Sequence, residues 1–271
     1  MPDLAAATGA VLDWPVDHAA AAVVGRDGAV LATAGDQDRE FRLASVTKLL
    51  SAYAVLVAVE EGAIEWDQPA GPDGATVRHL AAHTSGLSFS DGVVQAAPGA
   101  RRIYSNSGFD VLGETIAAAA GMPFAEYLHQ AVCEPLGMAA TRLEGSPGAG
   151  AVSSSADLAR FAAELQAPKL THTLGEATTV AFPGVDGILP GYGRQKPNDW
   201  GLGFEIRDGK SPHWTGAASS PRTFGHFGQA GTFLWVDPDA GVACVVLTDR
   251  DFSDWAVQAW PPFTDGVLAA L

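Results

Sequence analysis

The sequence predicts an α+β fold, with one β-sheet assembled from both ends of the chain and helices inserted between. Three observations predict it. Apolar strand-like runs cluster before residue 35 and again after residue 203. Helix-period patterns occupy residues 45–165 between them. Strands and helices come in separate blocks and do not alternate, which is the α+β pattern. The 271 residues suffice for one or two domains with a sizeable core.

Ala19 to Val24 and Ala29 to Ala34 are apolar runs joined at Arg26-Asp27-Gly28, and Asp-Gly between such runs signals a hairpin. Phe41-Arg42-Leu43 leads into a helix opened by Ser45 and stopped by Gly62. Val77 to Ala82, Val111 to Ala120, Phe124 to Val132 and Ala156 to Leu165 have helical periodicity. Ser153-Ser154-Ser155 offers the last of these a choice of N-caps. Residues 167 to 200 are rich in glycine and proline and suggest loops that rim a site. Gly203 to Arg207, Thr223 to Phe227, Thr232 to Val236 and Val242 to Leu247 form successive strands, with a strong turn at Asp237-Pro238-Asp239-Ala240-Gly241. Asp254 to Leu271 reads as a partly helical tail broken by Pro261-Pro262.

Chemistry concentrates in three places. Ser45-Val46-Thr47-Lys48 opens a run that is apolar on every side, so its helix is buried all round. Positions i and i+3 share a helix face, which brings the Ser45 hydroxyl to the Lys48 amine. A lysine in a first turn opposes the helix dipole, and burial adds to the same effect, so its pKa falls. A neutral amine beside a serine hydroxyl is a nucleophile with its base. By itself Ser-x-x-Lys is a weak motif. Tyr104-Ser105-Asn106 comes next; it fits a pair of cleft residues, and equally a buried tyrosine beside a turn asparagine. In Phe224-Gly225-His226-Phe227-Gly228-Gln229, aromatic residues and glycines alternate, as on a strand edge that lets a ligand approach the backbone. His226 also suits a satisfied structural histidine.

Ser-x-x-Lys, Tyr-x-Asn and His-x-Gly in this order resemble the serine β-lactamase and penicillin-binding protein superfamily, and most of all its class C branch with the related esterases and D-aminopeptidases. His83-Thr84-Ser85-Gly86-Leu87, Tyr104 to Glu114, Pro135-Leu136-Gly137-Met138 and Trp200-Gly201-Leu202-Gly203-Phe204 extend the likeness from about residue 20 to the C-terminus. The resemblance implies an antiparallel sheet flanked by helices with an inserted all-helical subdomain. Residues 1–65 and 191–271 would form the α/β domain and residues 66–190 the helical subdomain, with the catalytic cleft between them. It also implies roles. Ser45 attacks an acyl carbon, Lys48 or Tyr104 takes its proton, and Tyr104 protonates the leaving group. Asn106, His226, Gly228 and Gln229 bind substrate, with the Ser45 and Gln229 amides as oxyanion hole. The family's β-lactamases usually carry lysine where His226 stands, so the site is less suited to anionic β-lactams, although Arg222 could partly substitute. Phe227, with Trp214, Phe224 and Trp235 near it in sequence, either favours an apolar acyl group or belongs to the core. The expected activity is therefore a serine hydrolase on small neutral esters. D-amino-acid amidase or peptidase, weak β-lactamase and acyltransferase activities are the alternatives on the same site. A catalytically silent ligand-binding module is the alternative from another class.

The formal net charge of −15 argues against nucleic acid and anionic membrane as partners. No apolar stretch is long and charge-free enough to span a bilayer. Met1-Pro2-Asp3-Leu4-Ala5-Ala6-Ala7 lacks a basic region followed by an apolar core, so no signal peptide and a cytoplasmic location are expected. Cys133 and Cys244 are expected to be two buried thiols. His79 and His83 are four apart, but Leu80 stands where a zinc protease has glutamate and no third ligand is evident, so no metal or other cofactor is expected. The partner is a small ester or amide; the sequence leaves oligomeric state and natural substrate open.

Overall fold

Strands from the two ends of the chain pair directly with each other. The computed structural model describes residues 3–271; Met1 and Pro2, part of the N-terminal stretch discussed above, lie outside the described residues. In chain order the elements are α1 (Leu4–Gly9), β1 (Ala19–Gly25), β2 (Val30–Gly35), β3 (Glu40–Arg42), α2 (Thr47–Glu60), α3 (Val77–Ala81), α4 (Asn106–Ala120) and α5 (Phe124–Leu128). There follow β4 (Arg142–Leu143), β5 (Ala151–Ser154), α6 (Ser155–Gln166), α7 (Leu174–Ala177), β6 (Gly187–Leu189) and β7 (Gly193–Gln195). The chain closes with β8 (Glu205–Ile206), β9 (Phe224–Gly228), β10 (Thr232–Asp237), β11 (Val242–Thr248) and α8 (Asp254–Ala269).

The main sheet has the order β2-β1-β11-β10-β9-β8, and its pairings are antiparallel. β1 lies against β11 with Ala19 opposite Thr248 and Gly25 opposite Val242, which joins the two termini. Side chains alternate across a strand, and both faces of this sheet are covered. Ala20, Ala22 and Val24 enter one core with α2 and α6, together with Val245 and Leu247. Ala21 and Val23 enter the other with Cys244, Val246, Phe233 and Trp235, under Trp260, Phe263 and Val267 of α8. The small β1 residues let helices approach on both sides. Cys133 and Cys244 are free and buried.

Two sequence expectations are corrected. The C-terminal helix runs unbroken through Pro261 and Pro262. Those prolines forfeit backbone donors, but Ala256, Trp260, Phe263 and Val267 are buried on one face. Burying one such large apolar side chain contributes about 1.5–3 kcal/mol, enough to hold the helix through the gap. The third helix of the sequence reading begins five residues before Val111, at Asn106, because the Ser105 hydroxyl accepts the Gly108 amide at 2.9 Å as an N-cap. Within residues 66–190 the helices are accompanied by β5, which pairs with β3 on one side and β4 on the other, and by β6, which pairs with β7. Among the described residues no helix is long and apolar enough to cross a membrane.

Candidate active site

Ser45 stands in a 3-10 turn, Ala44–Val46, just ahead of α2 and not within it. Ala44 takes a left-handed φ of 45°, a strained conformation for a residue with a side chain. Strand β9 presses on this turn. A Cβ at Gly228 would lie 2.3 Å from the Leu43 carbonyl oxygen, so only glycine permits the contact. Thr232 on β10 donates to the same carbonyl at 2.8 Å. The strand wall and the serine turn are thus fixed to each other through backbone.

Lys48 lies one turn on and is fully buried. Its Nζ donates to Asn106 Oδ1 at 2.5 Å and to the Gly148 carbonyl at 2.7 Å, and lies 3.4 Å from Ser45 Oγ. Asn106 reaches it because the Ser105 cap makes Asn106 the first residue of α4. The Tyr104 ring covers the amine, with Nζ 4.6 Å from the ring centre. Burial holds the Lys48 pKa well below its usual range, and the Asp110 carboxylate offsets this only in part. Burial pushes the Tyr104 phenol up. The lysine is therefore biased toward neutral and the tyrosine toward protonated.

His226 sits on β9 and is buried. Its Nδ1 donates to the Phe227 carbonyl at 2.6 Å, which leaves Nε2 as an acceptor. Burial, with Lys48 nearby, lowers its pKa to about 3. The Tyr104 hydroxyl and the Nε2 atoms of His83 and His226 are all buried without a hydrogen-bond partner. Orphaned polar atoms are uncommon in protein interiors; here three are grouped, with ring centres 4.7 Å apart for His83–Tyr104 and 5.6 Å for Tyr104–His226.

A cavity of about 100 Å³ opens above Ser45, lined by Tyr104, His226, Phe227 and Gln229 together with Phe89, Leu189, Pro190, Trp200 and Glu205. Ser45, Lys48, Tyr104, Asn106, His226 and Gln229 are thus brought together. Gly228 packs beneath the serine turn and does not line the cavity. Arg222 is turned away, paired with Asp239 at 2.8 Å, so the cation it could have supplied is not at the site. Of the aromatic residues, Phe227 faces the cavity, while Trp214, Phe224 and Trp235 are core. α3 ends at Ala81 and His83 takes φ 58°, so His79 and His83 do not share a helix face. His79 Nδ1 instead meets the Thr76 hydroxyl at 2.9 Å. No metal-binding cluster of acidic, histidine or cysteine side chains occurs among the described residues.

Sequence reasoning missed Glu205, the Gly148 carbonyl and Phe89, whereas Phe227 and the 167–200 loop residues Leu189, Pro190 and Trp200 line the cavity as expected. Glu205 is buried against Lys210 at 2.7 Å, His213 at 2.9 Å and the Trp214 indole at 2.8 Å, and its contacts with His213 and Lys210 hold its carboxyl down at about 2 against the opposing effect of burial. A lone glutamate at the end of an apolar strand was its only signal. A backbone carbonyl has none.

The protein family model described as Beta-lactamase matches this chain over residues 16–147 and 140–268. A solved structure described as a beta-lactamase from Mycobacterium bovis is 59% identical, covers 97% of this chain and 98% of its own, and superposes with a TM-score of 0.95. Esterase EstB of Burkholderia gladioli is 32% identical over 44% of this chain and 45% of that protein. The D-alanyl-D-alanine-carboxypeptidase/endopeptidase AmpH of Escherichia coli (strain K12) is 28% identical over 41% of this chain and 38% of that protein. The chain therefore spans less than half the length of these two curated relatives.

Proposed function

The chain belongs to the beta-lactamase family, and from that premise we propose that it is a serine hydrolase acting on small neutral esters through an acyl-serine intermediate. The observation that carries the reading is the bonding of Lys48. Two of its contacts, Asn106 Oδ1 and the Gly148 carbonyl, can only accept. A neutral amine satisfies both with its two N–H bonds and turns its lone pair to Ser45, 3.4 Å away. Burial biases the amine toward neutral, and with that bias the arrangement supports Lys48 as the base.

Ser45 Oγ then bonds to the acyl carbon as its proton passes to Lys48. The oxyanion forms between the Ser45 and Gln229 amides; removing one such donor typically costs about 100- to 1,000-fold in rate. The carbon–oxygen bond to the leaving alcohol breaks as Tyr104, kept protonated by burial, supplies the proton, and Lys48 restores it. Water attacks the ester of Ser45 by the reverse route, releasing a carboxylic acid and the free serine. Asn106 holds Lys48 and keeps its amide N–H groups for the substrate carbonyl.

The preference for neutral esters rests on His226, which is neutral at pH 7 and has no cation beside it on β9. A charge-assisted hydrogen bond is worth about 1.5–3 kcal/mol, and an anionic β-lactam would forgo it here. Comparing kcat/KM for nitrocefin and p-nitrophenyl butyrate tests this, in wild type and in His226→Lys. The wild type is expected to prefer the ester, and the lysine variant to gain more on nitrocefin. A wild type that prefers nitrocefin, or a variant that shifts both alike, would remove the basis of the ester assignment.

A further inference from the structure

Phe89, Val93, Val94 and Ile188 are 53%, 54%, 56% and 64% exposed, and they are half of the exposed large apolar side chains among the described residues. The first three share one loop. It folds back on itself: Leu87 bridges to Val94, and the Ser88 amide donates to the Val93 carbonyl at 2.8 Å. Its Phe89 carbonyl accepts the Asn106 amide at 2.7 Å, and the Phe89 ring stacks on Tyr104 with centres 5.9 Å apart. The loop is thus anchored to the start of α4. Ile188 belongs to the β6–β7 hairpin, tied by a parallel bridge between Arg102 and Gly187. Side chains alternate along a strand. Leu189 is buried and lines the inner cavity, so Ile188 points the other way. Phe89 and Ile188 both border an outer cleft of about 1150 Å³, which meets the inner cavity at Phe89, Tyr104 and Pro190.

Exposed apolar side chains gathered in this way mark a surface that something covers. Charge indicates what. The whole chain carries 31 acidic against 16 basic residues. The two segments that hold the four side chains, residues 86–103 and 183–195, carry Asp91 and Asp186 against Arg101, Arg102 and Arg194. Arg194 pairs with Asp186 at 3.1 Å, and Arg102 is buried on the carbonyls of Ala82, Ala181 and Phe182. Asp91 is turned back onto the Ser88 hydroxyl and the Val93 amide of its own loop. The rim is therefore close to neutral on an acidic molecule, which matches an uncharged partner and repels an anionic one. A second copy of the chain seated on Phe89 and Ile188 would close the cleft that they border. A surface that itself carries esters would feed it. We infer that Phe89, Val93, Val94 and Ile188 dock on the uncharged surface of aggregated ester, and that substrate enters the cleft from that surface. Apolar side chains settle at such a boundary while the charged remainder of the molecule stays in water. The inference rests on the acyl-serine reading and adds to it the form in which the neutral substrate is presented.

Tributyrin tests it, because its acyl groups are small and uncharged and it forms droplets above its solubility limit. Wild type, Ser45→Ala and the double variant Val93→Ser/Val94→Ser are compared; the two valines line neither cavity. Adsorption is read as depletion of protein from the water phase, with Ser45→Ala as the form that leaves the droplets intact. The wild-type rate is expected to break upward where droplets appear. The double variant is expected to lose that break and to adsorb roughly tenfold more weakly, as removal of apolar groups from two half-exposed side chains implies. Its thermal midpoint and its kcat/KM on dissolved p-nitrophenyl butyrate are expected to match wild type. A little oleate makes the droplets anionic and is expected to weaken adsorption, with salt restoring it. Equal adsorption of wild type and double variant, no adsorption, or tighter adsorption to the anionic droplets overturns the docking surface. So does adsorption through the valines without a break in rate, or a wild-type dimer that the double variant loses. In each of these cases loss of p-nitrophenyl butyrate hydrolysis in Ser45→Ala leaves the acyl-serine mechanism standing. Hydrolysis of neither ester, or hydrolysis that survives Ser45→Ala, overturns both.

Discussion

Lys48 has no carboxylate within salt-bridge distance, although it is fully buried and Asp110 still acts on it at longer range. A buried ammonium without a counter-ion is costly, and the usual response is loss of its proton. On the proposed mechanism that cost is what makes the residue useful, because a neutral amine is a base at pH 7. Lys48→Arg keeps a cationic side chain but cannot give up its proton, and its fork is larger than the space between Asn106 and Gly148. Ester hydrolysis by this variant is expected to fall below about one tenth of wild type, since general bases contribute typically about 100-fold or more. Steady-state rates measured beside a thermal midpoint check it; a well-folded arginine variant with more than that rate would make Lys48 an electrostatic prop. Ser45 and Lys48 were legible because their spacing and apolar context are local in sequence. Glu205 and the Gly148 carbonyl were not, because their positions depend on contacts between segments far apart in the chain.

The elements meet at the serine turn more tightly than their sequences announce. β9, read correctly as a strand, presents Gly228 to the Leu43 carbonyl. From sequence that glycine was expected to bind substrate; in the fold it sets how close the strand wall comes to Ser45. Gly203, at φ 89°, does the same for the loop leading to β8, where a Cβ would lie 2.2 Å from the Ala52 side chain on α2. Gly228→Ala must push β9 off the turn, and a displacement of about 1 Å at a catalytic site can cost on the order of 100-fold. A loss of kcat of roughly that size is expected, with a smaller effect on secondary structure by circular dichroism. A variant with wild-type kcat would mean that the turn tolerates the shift. Element identity came from periodicity and was legible along most of the chain. The boundaries that differ reflect a cap at Ser105 and a buried helix face around Pro261, in which local chemistry and tertiary packing outweigh propensity.

At the scale of the molecule, the two-ended sheet carries one wall of a site whose buried groups make folding depend on pH. His226 has a folded pKa of about 3 against an ordinary value of 6.5, and His83 is shifted in the same direction. Below pH 6.5 the unfolded chain takes up protons that the folded chain refuses, so stability falls as pH falls, by up to about 1.4 kcal/mol per pH unit for one proton. Glu205, held at about 2 against an ordinary 4.5, contributes stability above pH 4.5 that is lost as pH falls toward 2. The thermal midpoint is expected to drop between pH 7 and pH 4, and more gently in His226→Gln; identical slopes would mean that His226 is not kept neutral by the fold. The central claim, that this site forms a covalent acyl-enzyme on Ser45, is tested most directly by intact-protein mass spectrometry after treatment with an activated phosphonate ester. One adduct per chain is expected in wild type, located by peptide mapping at Ser45, with none in a Ser45→Ala variant of unchanged thermal midpoint. An unlabelled wild type, or equal labelling of the alanine variant, would contradict the account and leave a folded ligand-binding module in its place.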